Sequence, residues 1–427
     1  MKALILAAGK GERLRPITQT KPKPLLPILC KPLIEWQIHA IEKYTKVEEL
    51  VIVVSYMKEK IAEYLAQIRP SIPIKIVDQG KELGTGDAVI KGILDMNIDD
   101  EVLIIYGDIF LKDWGILEKL VNIEDNALLA AEVNDPYNYG VLLIENNTLK
   151  KIVEKPREPV SNLVNAGIYK LRVEDILRHK DIEFSPRGEL EFTDILQKIA
   201  SDKRIRVLNI DKDAWIDIGM PWNLIEANKI ALKNLKHEIK GKLEDQVTIK
   251  QPVYIGENTI VRSGTYIEGP VYIDKEADIG PNARIRPNTV ICRGSKIGFS
   301  VEVKESIIME NVHASHLSYI GDSIVCEHVN LGAGTITANL RFDNKPVKMT
   351  IKGVRVSSGR RKLGAIIGAY VKTGVNVSLM PGVKIGAYSW IAPGAIVYRD
   401  IPPRSFYRAE IKYIISDLER KEIDDQY

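Results

Sequence analysis

Two stretches of this 427-residue chain carry the side chains best suited to chemistry. The first, "LAAGKGERLRPITQTKPKPLLPI", sets Gly9 and Gly11 directly after an apolar run and gathers Arg13, Arg15, Lys21 and Lys23 close behind, among prolines that fix the loop. A Gly-rich turn after a strand can wrap phosphates with its backbone N–H groups, and the cations offset phosphate charge. No Gly-Lys-Ser/Thr follows, so this is not a Walker loop, and Leu14 stands where a dinucleotide fingerprint needs its third Gly. In the second stretch Arg286 and Lys304 lie 18 residues apart, each directly after an aliphatic residue, Ile285 and Val303. If those aliphatic residues point inward on successive coils, the two cations stack and repel, and an anion between them removes the conflict. Splaying of both into water is the alternative.

The elements that must position the first stretch alternate strand and helix. "ALILAAG", "ELVIVVS", "IKIVD" and "VLIIYGD" read as buried strands, and "PLIEWQIHAIEKY" and "KEKIAEYLAQI" as helices, which predicts a doubly wound α/β sheet, parallel and covered on both faces. Ligands of such sheets lie beyond the carboxyl ends of the strands.

Around the second stretch the period is six. Ile249, Ile255, Val261, Ile267, Ile273, Ile279, Ile285, Ile291, Ile297, Val303 and Met309 keep the beat, with Gly, Asn, Pro and Asp between them. This is the pattern of a parallel β-helix of hexapeptide repeats, three hexads to a coil. The beat fails at Ser315 and returns one residue early at Ile320, so a register break is expected within "HASHLSYIGD", where His313 and His316 stand. It resumes at Ile367, with Thr373 the one lapse before Leu379, Ile385, Ile391 and Val397. "NLGAGTITANLRFDNKPVKMTIKG" has no such pattern and is expected to leave the prism as a loop. The predicted organisation is a domain over 1–230, a helical linker over 231–248, the prism over 249–405 and a helical tail over 406–427.

Composition narrows the function classes. With 60 Lys and Arg against 57 Asp and Glu, the net charge of +3 points to no nucleic-acid or membrane partner. No apolar run approaches the roughly 20 residues of a membrane span. Cys30, Cys292 and Cys326 lie far apart without metal-ligand spacing, so neither a disulfide nor a zinc site is expected, and a reducing cytoplasm fits. Abundant Ile, Lys and Glu with scarce Gln lean toward a heat-adapted source.

The first stretch closely resembles the signature of sugar-1-phosphate nucleotidyltransferases, and the resemblance continues in order through "QGKELGTGDAV", "YGD", "NYGV", "VEKP", "NAGIY", "ELEFTD" and "WIDIG". It implies Gly9, Gly11, Arg13 and Lys23 on the triphosphate, Gln79, Gly84 and Thr85 on the base side, and Gly140, Glu154, Lys155 and Asn165 on the sugar. Asp108 and Asp217 would hold Mg2+, and two carboxylates plus phosphate oxygens suit that ion. The implied reaction is attack of a sugar-1-phosphate oxygen on the α-phosphorus of UTP or dTTP with loss of pyrophosphate.

"ARIRPNTV", "VEVKES", "HASHLSYIGD" and "VNLGAGTITAN" resemble the acetyltransferase domain of the bifunctional glucosamine-1-phosphate acetyltransferase/N-acetylglucosamine-1-phosphate uridyltransferase family, whose prism is a left-handed β-helix. The resemblance implies His316 as general base, Arg286 and Lys304 on the substrate phosphate, and Tyr319, Asn339 and Lys345 completing the sugar site, with Lys348 an extra contact from the same loop. An imidazole of ordinary pKa, about 6.5, can take a proton from an attacking amine while Asn339 or a backbone N–H steadies the thioester oxyanion. Acetyl-CoA is the implied co-substrate, its contacts not located, and the C4 epimer of the hexosamine stays open between gluco and galacto. A homotrimer through the flat prism faces is expected. The competing reading makes the prism an assembly module on a monofunctional nucleotidyltransferase. Asp108 and His316 fall in different domains, so no shared catalytic group is expected.

Overall fold

Strand Lys2–Ala7 lies between Leu50–Val54 and Glu101–Tyr106 in parallel register, with Ile5 opposite Ile52 on one side and Ile105 on the other. The computed structural model describes residues 1–98, 100–211 and 213–410. Alternation of side chains along the strand divides the domain's core. Ala3 and Ile5 face one cluster with Ile34, Ile38, Ile41 and Ile61 of helices Leu33–Tyr44 and Lys58–Gln67. Leu4 faces the other, with Val89, Ile93 and Leu196 of helices Thr85–Met96 and Phe192–Asp202. The sheet is thus covered on both faces, as expected.

The sheet has nine strands and is mixed rather than parallel throughout. Beyond Glu101–Tyr106 comes Leu163–Arg172, antiparallel to it, and the sheet continues through Asn126–Glu132, Ile205–Asn209, Thr148–Glu154 and Gly140–Glu145. The hairpin Gly140–Glu145/Thr148–Glu154 turns at Asn146 and Asn147, both with positive φ. That two-residue turn suits an antiparallel pair and excludes a crossover.

The second domain is a left-handed parallel β-helix whose three sheets hold eight, nine and eight strands. Val253, Val271 and Thr289 stand in register at 18-residue intervals. Corners are turned by Asn258, Asn282, Asn288, Asn311 and Asn376 with φ between 54° and 63°, a conformation Asn tolerates better than bulky residues. Outside, Tyr254 stacks on Tyr272 at 4.7 Å, and His328, Tyr370 and Tyr388 form a ladder at 4.9 and 4.8 Å, the spacing of adjacent strands. Inside, Thr373 is a polar lapse with a partner, its hydroxyl lying 2.8 Å from that of Thr335.

Several boundaries differ from the sequence reading. The expected helical linker over 231–248 is helical only to Leu232, because Glu238–Ile239 already pairs with Tyr254–Ile255 as the first prism strand. The register break lies earlier than "HASHLSYIGD": Ile308, not Met309, is the inward residue after Val303, and Ala314 and Ile320 then keep the six-residue step before a second five-residue step to Val325. Met309 instead faces the first domain, joining a core cluster shared with Ile28, Ile225 and Ile230. Ile324, Cys326 and Ile366 belong to the same cluster, so one prism sheet is apolar on both sides because the first domain rests on it. A six-residue rule sees only the inward side.

The patternless segment also stays in the prism longer than expected, through strands Asn330–Leu331 and Ile336–Thr337. The excursion is closed at its base by a bridge between Leu340 and Lys362, and it folds into the hairpin Lys348–Ile351/Val354–Ser357. Phe406–Tyr407 pairs with Trp390–Ile391 as a strand, and 411–427, the bulk of the expected helical tail, lies outside the described residues. Contrary to the expectation of no disulfide, Cys30 and Cys292 are joined, tying the first domain to the prism. Their separation of 262 residues hid a pairing that only the tertiary fold creates.

Candidate active sites

Beyond the carboxyl ends of the parallel strands opens a cleft of about 800 Å³. Gly9, Gly11, Arg13 and Lys23 line it from the turn after Lys2–Ala7, and Gln79, Gly84 and Thr85 from the entry to helix Thr85–Met96. Gly140, Glu154, Lys155 and Asn165 line it from the antiparallel half, and Asp108 and Asp217 complete the wall. All thirteen residues expected for the first site therefore meet in one cavity.

Several are held by local structure. Gly11 adopts φ +61°, and a Cβ there would meet Thr18 Cγ2 at 2.9 Å. Gly84 adopts φ +125°, with the Leu190 carbonyl oxygen 2.5 Å from where a Cβ would stand. Gln79 is buried and donates to the Gly84 carbonyl at 3.0 Å and to Asp87 at 2.9 Å, which leaves its carbonyl oxygen for a ligand. Thr85 Oγ1 accepts from the Phe192 amide, and Asn165 donates to the Tyr169 hydroxyl at 2.6 Å.

Lys23 Nζ donates to Asp108 Oδ2 at 2.5 Å and lies 3.8 Å from Asp217 Oδ1. Burial and the neighbouring Asp108 carboxylate push Asp217 up to about 6, against the pull of Lys23 and Arg13. Asp217 Oδ1 is buried without a hydrogen-bond partner among the described residues. Two converging carboxylates, one oxygen of which lacks a partner, are a donor set that fits a divalent cation completed by phosphate oxygens.

Lys21 does not join this group. It turns to the prism, 3.1 Å from Glu310 and 4.0 Å from Glu327. The cleft also takes Glu12, Tyr106, Tyr139, Arg187, Glu191, Trp215 and Lys352, which sequence reasoning missed. Glu12 lies within the first quoted stretch, Tyr106 begins "YGD", Tyr139 is in "NYGV", Glu191 in "ELEFTD" and Trp215 begins "WIDIG", so those five were within reach.

On the prism, Tyr319, Asn339 and Lys304 converge on a residue the sequence reading passed over, Asp322. Asn339 Nδ2 donates to Asp322 Oδ2 at 2.6 Å and to the Tyr319 hydroxyl at 3.1 Å, and Lys304 Nζ donates to Asp322 at 3.0 Å. Gly321 makes this approach possible, since a Cβ would stand 2.5 Å from the Tyr319 hydroxyl. Arg286 and Lys304 do stack, as their neighbours Ile285 and Val303 pair. Each, however, has a carboxylate partner, Arg286 pairing with Glu302 at 2.8 Å, which resolves part of the repulsion without a ligand.

His316 ends strand His313–His316, exposed and paired with Phe299 two residues beyond inward Ala314. The strand end aims it, not the register break. Lys345 and Lys348 are exposed on the excursion, and no contact among the described residues joins them to His316.

A nucleotidyl transferase family model matches residues 2–234, and a GMPPB C-terminal domain model matches 267–361. The chain is 51% identical over 412 residues to the bifunctional sugar-1-phosphate nucleotidylyltransferase/acetyltransferase of Sulfurisphaera tokodaii, covering 96% of this chain and 100% of that one. The chain belongs to this family. The bifunctional protein GlmU of Methanocaldococcus jannaschii is 45% identical over 408 residues, 95% of this chain and 97% of its own. A solved UDP-glucose pyrophosphorylase bound to UDP-glucose matches with 25% identity and a TM-score of 0.50, covering 54% of this chain and 98% of that one. As a member of a bifunctional transferase family, the chain is an enzyme with its nucleotidyltransferase domain first and its β-helix second.

Proposed function

We propose that the first cleft transfers a nucleotidyl group from UTP or dTTP to a hexose-1-phosphate and that the prism acetylates glucosamine-1-phosphate, or its galacto epimer, with acetyl-CoA. The observation that carries the first half is the Lys23–Asp108–Asp217 cluster at the end of the Gly9–Gly11 turn. Arg13 and Lys23 hold the triphosphate, Gln79, Gly84 and Thr85 the base, and Gly140, Glu154, Lys155 and Asn165 the sugar. Gly140 keeps its floor open, since a Cβ would stand 3.0 Å from Glu154 Oε2. Asp108 and Asp217 would hold Mg2+, which neutralises phosphate charge when bound. The sugar-1-phosphate oxygen attacks the α-phosphorus in line, the bond to the β-phosphate oxygen breaks, and pyrophosphate leaves. No side-chain nucleophile takes part.

For the second half, His316 takes the proton as the amine attacks the thioester carbonyl, Asn339 or a backbone N–H steadies the oxyanion, the C–S bond then breaks and coenzyme A leaves, and Arg286, Lys304, Tyr319, Lys345 and Lys348 hold the sugar phosphate. The cluster in which Asp322 gathers Lys304 and Asn339, with Tyr319 on the same amide, supports this reading. The second reading makes the prism an assembly module on a monofunctional nucleotidyltransferase. Release of coenzyme A from acetyl-CoA and either hexosamine-1-phosphate separates the two.

The active form is proposed as a homotrimer in the cytoplasm. Trp390, Ile396 and Phe406 are exposed on the two prism sheets that the first domain leaves free, an apolar surface suited to a second prism. No helix among the described residues is long and apolar enough to cross a membrane. Light scattering that shows a fully active monomer would refute the assembly.

A further inference from the structure

The prism hairpin reaches the first cleft. Its strands pair through Met349 with Val356 and Ile351 with Val354, and Lys352-Gly353 form the two-residue turn with φ +47° and +81°. Met349 and Ile351 are buried in the core cluster that includes the first domain's Leu14 and Ile17, so apolar burial sets the hairpin in place. Its tip lines the cleft, with Lys352 Nζ 3.0 Å from Glu12 Oε2.

Glu12 stands between Gly11 and Arg13, where a carboxylate opposes an incoming phosphate. Lys352 pulls Glu12 below the ordinary carboxylate range. The pair is exposed, 61% for Lys352 and 41% for Glu12, so it adds little to stability and its cation is free to exchange partners. Of the other cations around the cleft, Lys23 pairs with Asp108, Lys155 with Glu154, Arg187 with Glu191 and Lys10 with Glu82, while Arg13 acts on Asp217 without an ion pair among the described residues.

We propose that Lys352, supplied by the acetyltransferase domain, is a nucleotide-binding residue of the nucleotidyltransferase cleft, leaving Glu12 for the distal phosphates of the nucleoside triphosphate. The same excursion carries Lys345 and Lys348, so one segment serves both sites. This rests on the nucleotidyl transfer proposed above.

The test is Lys352→Asn in the full chain. Asn-Gly keeps the left-handed turn, so the hairpin should persist. Expected are a KM for the nucleoside triphosphate raised about 10-fold, the scale of one charge-assisted hydrogen bond, with kcat, the KM for sugar-1-phosphate and acetyl transfer within about 2-fold of wild type. Lys352→Arg should restore the nucleotide KM, and Glu12→Gln should lower it or leave it. An unchanged nucleotide KM in Lys352→Asn overturns the proposal. So does a rise in Glu12→Gln equal to that in Lys352→Asn, which would make the pair a staple, or a parallel loss of acetyl transfer and melting temperature. A wild-type chain without nucleotidyl transfer would instead sink the reaction itself.

Discussion

Asn339 Nδ2 donates to Asp322 Oδ2 at 2.6 Å, and this one carboxylate, 2% exposed, also holds Lys304 at 3.0 Å and Arg360 at 3.5 Å. Arg360 pairs in turn with Glu226 of the first domain, so Asp322 links the proposed sugar-phosphate contacts to the domain interface. Asp322→Asn removes the nearer counter-charge of Lys304, whose other carboxylate, Glu305, lies 3.8 Å away, and unpairs Arg360 from this side. It should cost about 3 kcal/mol of stability and raise the KM for hexosamine-1-phosphate more than that for acetyl-CoA, as read by melting and steady-state kinetics.

Asp108→Ala should abolish Mg2+-dependent pyrophosphate release while acetyl transfer stays within about 2-fold of wild type. Loss of both activities in a folded variant would contradict a separate first site.

His316→Ala should lower acetyl transfer by roughly 10² to 10⁴-fold, the usual contribution of a positioned base, with nucleotidyl transfer unaffected. His316 is exposed at a strand end, so the variant should melt close to wild type. Unimpaired coenzyme A release would remove His316 from the mechanism.

The Lys21–Glu310 clamp between the domains should make stability acid-sensitive. Burial opposes the charge on Glu310, yet Lys21 wins and lowers its pKa below the ordinary 4.5. A lowered carboxylate contributes stability that is present above about 4.5 and is lost as pH falls through the folded value. Melting temperature should therefore fall more steeply below that pH in the wild type than in Glu310→Gln. At neutral pH, Lys21→Met should cost about 3 kcal/mol, because Glu310 and Glu327 would lose their partner.

The first cleft was legible because its residues sit at the ends of strands whose apolar runs announce themselves, and Gly11 of the turn adopts φ +61° against Thr18. The prism was legible because a six-residue period survives in the sequence wherever one face points inward. What the period could not show was the interface. Met309 keeps the six-residue spacing, yet the fold turns Ile308 in and gives Met309 to the first domain. Lys21 sits in sequence among the cations proposed to bind phosphate yet points to Glu310, and Cys30 meets Cys292 only because the domains dock. Lys352 and Arg360 carried no signal for the same reason: their partners, Glu12 and Glu226, are distant in the chain.

The central claim is that one chain holds two chemistries in two places, and it is tested most directly by supplying acetyl-CoA, glucosamine-1-phosphate, UTP and Mg2+ to the intact protein and following coenzyme A and pyrophosphate together. The account predicts that both are released, that His316→Ala stops coenzyme A release, and that adding N-acetylglucosamine-1-phosphate to that variant restores pyrophosphate release. Pyrophosphate release without any coenzyme A from the wild type, with either hexosamine epimer, would contradict it.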